Sequence, residues 1–392
     1  MDKDVLETVD MKALGKELQQ ARIRKGITQE QAAKIIGVAR TTVVAIEQGN
    51  RRIRSGELIK LAQAYGLSVS DFVRPRPVLE MTEPQFRGPW LKTEEDIDLI
   101  APYVEQLKQL ARDYFELEKI LQAPLVRKYA PEYSVGNLRA DEAAEDIASE
   151  ERIRLGLGDG PIPLLRDVLE QDVGLRIFYF PLPVKVSAIY LYDESVGGCI
   201  AINKLHREER RRISLAHEYG HFLTYRHKPE VFIEEGYYLR KPESEHLAED
   251  FAIAFLMPAS GVKRRFHDIR KAKERITAGD LSTLARYYGV SPEVMARRLE
   301  DLKLVPSGFR DQIRREGFGL RVRETQPSLG FAILPANEQQ FPIRYQYLAV
   351  EAFDNGLISE GLLARFLAVD RLEARTIAEA FRENSVGDTR HE

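Results

Sequence analysis

Two histidines four residues apart, in the run His217-Glu218-Tyr219-Gly220-His221, are the side chains of this sequence best suited to chemistry. On a helix, residues i and i+4 lie one above the other, so His217 and His221 can each turn a ring nitrogen toward one ion. Glu218 stands one step round the helix, where it can reach a water on that ion and take its proton. Two imidazoles, a third protein ligand, an open position for water and a carboxylate base make up a hydrolytic zinc centre. The competing explanation is a packing helix, since Ile213, Leu215, Ala216, Phe222 and Leu223 make the flanks apolar. Such a helix would bury two imidazoles and a carboxylate with no metal to satisfy them, at high cost. Histidine is also scarce, seven in 392 residues, so chance seldom produces this spacing.

A third ligand has to come from elsewhere. Residues 243–258 read as a second apolar helix with a stripe of Leu247, Ala248, Phe251, Ala252, Phe255 and Leu256, ended by Pro258. Glu243, Glu245 and Glu249 all fall on it, and spacing leaves the three open. The H-E-x-x-H run followed by E-x-x-A-x-x-F-A-x-x-F-L-M-P, from Glu245 to Pro258, resembles the ImmA/IrrE family of metallopeptidases. The resemblance implies Zn2+ as cofactor and Glu245 as the residue completing a His-His-Glu set. The family usually has Asn where this chain has Glu249.

Length allows two or three domains, each with its own core. Apolar content of 44% and charged content of 30% describe a globular chain. No run approaches the roughly 18 apolar residues of a membrane span, and the amino terminus lacks signal-peptide character. Cys199 is the single cysteine, so no intramolecular disulfide can form, and a cytoplasmic protein is expected. Cys199 itself reads as a small buried hydrophobe. The net charge of −3 is unevenly spread: residues 1–76 hold fourteen Lys and Arg against nine Asp and Glu, leaving −8 for the remainder. The basic surface is local.

That basic region is a string of short helices. One runs from Leu14 to Gly26; Thr28 with Gln31 forms a capping box opening Gln29–Ile36; Gly37 closes it, and a third helix follows from Val38 to Glu47. This is helix-turn-helix spacing. The stretch from Thr28 through Gly49 resembles the Cro-like (Xre-type) helix-turn-helix family, and the resemblance extends to about Phe72. The first turn of a recognition helix faces base edges, which assigns Ala39, Arg40, Thr41 and Thr42 to DNA; Gln29 suits a phosphate or an adenine, and Arg51 and Arg52 suit phosphates. Arg54, in the same loop, suits one as well. The partner expected is a double-stranded DNA operator, and since one such module buries little surface, a homodimer on a two-fold site is the default.

The fold class expected is multidomain: an all-α helix-turn-helix domain, an α+β zincin-like metallopeptidase domain and a small α-helical C-terminal region. The segments are 10–75 for DNA binding, 76–135 for a Pro-rich linker and connecting helix, 136–305 for the peptidase domain and 306–392 for a helical accessory region. Proline density at 74–93 denies helix, and Ile100, Val104, Leu107, Ala111 and Tyr114 then repeat at three-and-four spacing. That helix either packs on the peptidase core or forms a dimer seam. Helices are expected at 142–155 and 163–171, and strands at 174–180, 186–192 and 199–203. In zincin-like peptidases, the class that the resemblance implies, an edge strand above the site pairs with extended substrate, and Cys199–Asn203 is the candidate for it. Tyr190, Tyr192, Tyr225, His227, Tyr237 and Tyr238 are chemically able to serve an oxyanion. Helices are further expected within 276–302 and 345–381.

Three functions compete. The first is a DNA-binding regulator with a zinc endopeptidase that cuts a protein or peptide, a repressor or antitoxin-like partner by family analogy. The second is a transcription factor whose peptidase-like domain senses a ligand or metal and cuts nothing. The third is a phage-type repressor that cleaves itself. The full His-Glu-His set favours the first, because a sensor has no use for a base at Glu218.

Overall fold

A computed structural model of the chain describes residues 10–73, 94–134, 138–227, 230–233, 242–272, 276–315 and 339–385. The helices are α1 (Met11–Arg24), α2 (Gln29–Ile36), α3 (Arg40–Glu47), α4 (Ser55–Tyr65), α5 (Ser70–Val73), α6 (Glu94–Ile120), α7 (Ala140–Arg154) and α8 (Leu165–Val168). The α8 helix continues into a π turn, Leu169–Val173, that Gly174 ends at φ 97°. Strands β1 (Arg176–Phe180), β2 (Val186–Asp193) and β3 (Gly197–Asn203) precede α9 (Glu208–Tyr225), β4 (Glu230–Ile233) and α10 (Glu243–Leu256). Next come α11 (Ala259–Ala272), α12 (Ala278–Tyr288), α13 (Pro292–Asp301), α14 (Phe309–Arg315), α15 (Ile343–Asp354), α16 (Glu360–Phe366) and α17 (Arg371–Ser385). The expected order of an all-α region, an α+β region and further helices is what the chain adopts. The Pro-rich stretch at 74–93 lies outside the described residues, as do Tyr237 and Tyr238.

The chain divides into two compact units: Met1–Val78 with Asp113–Pro124 and Ile343–Glu392, and Leu79–Arg112 with Leu125–Pro342. The first holds the five amino-terminal helices around Leu14, Leu18, Ala33, Val43, Ile46, Leu58 and Leu61, all buried. Local signals set their ends. Thr28 and Gln31 cap α2 reciprocally, and Gly37 stops it in the left-handed conformation at φ 73°. Residues 306–392, taken together in the sequence, are divided, with 343 onward in this unit. Their attachment is polar and close. Ser359, the N-cap of α16, donates to the Asp71 carboxylate at 2.8 Å. Gly361 passes so near the Gly66 carbonyl that an added Cβ would fall 2.2 Å from its oxygen. Arg365, 6% exposed, faces Asp113 at 3.2 Å and Glu116 and Glu17 at 3.6 Å each, which pulls its guanidinium pKa upward against the opposing effect of burial.

In the second unit a four-stranded sheet has the order β1-β3-β2-β4. β1 runs parallel to β3, with Arg176 opposite Cys199 and Phe180 opposite Asn203; β2 runs antiparallel to both β3 and β4. Every residue of β1, β2 and β3 is buried, the pattern of strands covered on both faces. The α9 helix packs against β2 and β3, and α10 packs against α7 and α9. This order corrects one expectation: β3 is an interior strand, paired on both sides, so Cys199–Asn203 has no free backbone edge for a substrate.

Removing the central cation from the Arg365 cluster leaves like charges gathered in a buried place. Arg365→Met is expected to destabilise the first unit by about 3–5 kcal/mol, seen as an earlier urea transition by circular dichroism; an unchanged transition would show that the cluster contributes nothing.

Candidate metal centre and nucleic-acid surface

Helix α9 begins with Glu208 and Glu209 in its first turn, where carboxylates suit the helix dipole, and is buried from Ser214 through Thr224. His217, Glu218 and His221 are 3%, 0% and 2% exposed. Glu245 lies in the first turn of α10, and its carboxylate oxygens sit 3.5 Å from His217 Nε2 and 3.3 Å from His221 Nε2. The two Nε2 atoms are 3.0 Å apart. Zinc bonds of about 2.0–2.1 Å at the tetrahedral angle set ligand atoms about 3.3 Å from one another. The three side chains therefore fit one zinc ion in spacing and in chemistry. Burial, aided by His221, pushes the His217 imidazole below its ordinary pKa and so favours the neutral form a metal needs. Burial acts to raise the Glu245 carboxyl, but hydrogen bonds and charge from His217 and His221 outweigh it and hold the group well below the usual carboxylate range.

The approach of α10 to α9 depends on Gly220. A Cβ there would lie 2.9 Å from Phe251 Cδ1 and 3.2 Å from Ala248 Cα, so glycine lets the two helices close far enough for Glu245 to reach both imidazoles. The rival carboxylates are placed elsewhere. Glu249 is held by Arg297 at 2.7 Å, which also binds Asp250, and Glu243 is exposed. Among the described residues, the one group of acidic and histidine ligands placed to share a metal is His217, His221 and Glu245. Of the oxyanion candidates, Tyr190 is buried and donates to the Arg226 carbonyl at 2.7 Å. Tyr192 packs edge-on against His227, which is exposed between Glu132 and Glu194. Tyr225 is half-buried, and Cys199 is buried.

In the first unit, Ala39 is the N-cap of α3, with Arg40, Thr41 and Thr42 in its first turn; Ala39, Arg40 and Thr41 are exposed and Thr42 half-buried. Gln29 opens α2 and donates to Glu47 at 3.0 Å, and Glu47 is gripped by Arg22 at 2.6 and 3.1 Å. This buried pair ties α1 to the end of α3 and thereby orients the helix whose first turn faces outward. Arg52 is exposed, whereas Arg51 makes a two-point bond to Glu57 at 2.9 and 3.1 Å and so braces its loop from within the protein.

Residues 170–300 match the family model described as IrrE N-terminal-like domain, and residues 18–72 match the model described as helix-turn-helix. The chain joins a helix-turn-helix domain to an IrrE-like domain. Both resemblances read from the motifs are thereby borne out. The IrrE-like segment spans the sheet, α9 and α10, and so includes His217, Glu218, His221 and Glu245. No curated protein matches the chain. Two solved structures align with it: Bacillus thuringiensis PlcR in complex with the peptide PapR7 and DNA, 12% identical over 96% of this chain and all of that one, and ComR from Streptococcus suis, 13% identical over 96% of each. The TM-score is 0.16 in both cases, so neither carries an argument about this fold.

Two contributors to the IrrE-like site escaped the motif reading. Gly220 was legible as a small residue inside the motif, facing Ala248 of the next helix. Arg297 was not, because it lies 48 residues beyond the Glu249 it holds. The ligand assignment gives a direct test. Protein purified without added metal is expected to contain about one zinc per chain, to lose it in Glu245→Ala and to keep it in Glu249→Ala; loss in the Glu249 variant alone would reverse the assignment.

Proposed function

We propose that the chain is a DNA-binding transcription regulator whose IrrE-like domain is a zinc-dependent endopeptidase acting on a protein or peptide. The observation that carries this reading is the convergence of His217, His221 and Glu245 at ligand spacing, with a fully buried Glu218 on the same helix. His217 and His221 would hold zinc through Nε2 and Glu245 through its carboxylate. When bound, the metal lowers the pKa of its water toward about 7 and polarises the scissile carbonyl. Glu218 acts as the base that takes the proton from the attacking water and then returns it to the leaving amine nitrogen. The buried walls around α9 exclude bulk water and strengthen these charge interactions.

Substrate pairing is assigned to β4. Strand β3 is interior, and the Tyr179 N–H of β1 donates to the Gln340 carbonyl at 2.9 Å, so that part of the β1 edge is occupied. β4 lies at the opposite end of the sheet and follows α9 directly. Backbone pairing on an edge strand makes affinity largely independent of sequence, which suits a peptidase. At the DNA, Arg40, Thr41 and Thr42 read base edges and Arg52 meets phosphate. The Arg51–Glu57 bond favours loop bracing for Arg51. A two-fold operator bound by a homodimer fits the small surface of one module. No helix among the described residues is long and apolar enough to cross a membrane, and a DNA partner suits a cytoplasmic protein.

Two substitutions separate the parts. Glu218→Gln keeps all three ligands, so zinc content is expected to stay near wild type while target hydrolysis and any regulation that depends on it disappear. Regulation unchanged by Glu218→Gln would leave a sensor in place of an enzyme. Arg40→Ala is expected to cost about 1–3 kcal/mol on the preferred operator and to relax base choice, measured by competition binding; an equal loss on random DNA would make Arg40 a phosphate contact.

A further inference from the structure

The face of α9 turned away from the histidines carries a second buried polar cluster. At about 100° per residue, Tyr219 projects roughly 160–200° from His217 and His221. Its hydroxyl donates to Glu151 of α7, a carboxylate with 0% exposure. The same carboxylate accepts from Tyr133 at 2.9 Å and from Arg154 Nε and Nη2 at 2.8 and 2.7 Å. Arg154 also donates to the Tyr219 oxygen at 3.0 Å and to the Lys128 carbonyl at 2.8 Å. Tyr133, in turn, donates its backbone N–H to the Leu223 carbonyl of α9 at 2.9 Å. One carboxylate thus ties α7 and the segment around residues 128–133 to the middle residue of the H-E-x-x-H run.

We propose that Glu151 and Tyr219 are positioning residues for the metal centre, fixing the rotation of α9 about its own axis; the inference rests on the zinc reading above. Magnitudes favour this role. A ring nitrogen about 6 Å from the helix axis moves about 1 Å for a rotation of about 10°, whereas metal–ligand distances tolerate about 0.2 Å. Apolar packing on this face is a loose constraint by comparison. The Tyr219 ring lies 6.2 Å from Phe222, 5.9 Å from Phe251 and 5.6 Å from Phe255, and such contacts vary slowly as rings slide. Hydrogen bonds weaken steeply with angle, so a carboxylate filled by four donors supplies the directional restraint. With α9 held, Gly220 meets Ala248 and Phe251 at one angle, and Glu245 meets the two imidazoles together.

The test is zinc affinity in the full-length chain. Tyr219→Phe removes one oxygen and keeps the ring, and Glu151→Gln keeps the size and removes the charge. Each is titrated with Zn2+ against a chelating indicator, well below the unfolding temperature of every variant. The zinc dissociation constant is expected to rise about tenfold or more in both. A lowered melting temperature with wild-type zinc affinity in both would make the cluster a source of stability alone and overturn the proposal. Should Glu151→Gln fail to fold, Tyr219→Phe decides by itself. A wild-type chain that binds no zinc would overturn the underlying metal reading, an outcome distinct from equal affinities.

Discussion

The close contact of α9 with α10 is the constraint on which the candidate metal centre depends. Three ligand atoms have to meet within about a single ion's coordination shell, yet two come from one helix and the third from another. Helix pairs usually sit about 8–10 Å apart, at the near end only where small residues face each other. Gly220 against Ala248 supplies that small pair, and Phe251 closes over it. One turn before Ala248, Glu245 then has the reach that its rivals lack. The glycine of the motif is a packing residue in service of a ligand.

The rest of α10 is arranged to hold that end in place. Acids occupy its first turn, where the helix dipole favours negative charge. At the other end, Arg152 donates to the Phe255 carbonyl and Arg298 to the Met257 carbonyl at 2.8 Å, covering backbone groups that the helix leaves unmatched and that Pro258 would otherwise strand. Arg152 also reaches the carbonyls of Gly158 and Gly160, while Arg298 makes a two-point bond to Glu145 of α7. Buried arginines here work mainly as multi-point staples between helix ends and loops, a use for which a planar five-donor fork is suited and a lysine is not.

What was legible in the sequence was local. The H-E-x-x-H spacing, the Thr28–Gln31 capping box, the Gly37 stop and the apolar stripe of α10 are each written within one or two helical turns, and each has its counterpart in the structure. What escaped was non-local. Strand order is set by which strands cross over which, and the edge placement of Cys199–Asn203 was carried over from the zincin-like resemblance alone. Yet Cys199-Ile-Ala-Ile shows no polar alternation, the pattern of a strand covered on both faces, so a signal against an edge was present. The grouping of α15, α16 and α17 with the amino-terminal helices had no local mark. It rests on Arg365, Ser359 and Gly361 meeting residues nearly 250 to 350 positions away, which periodicity cannot register.

The proposed choice of an enzyme over a sensor turns on the role of Glu218. His217, His221 and Glu245 would suffice to hold a metal, and a sensor needs nothing more from α9. Glu218 is 0% exposed, so its carboxylate gives up hydration that interactions within the protein have to replace. A metal-binding role alone assigns no task to this carboxylate, whereas the proposed hydrolysis requires a proton acceptor beside the attacking water, shielded so that its charge acts at full strength. A carboxylate at this buried position therefore favours the proposed enzyme over the sensor.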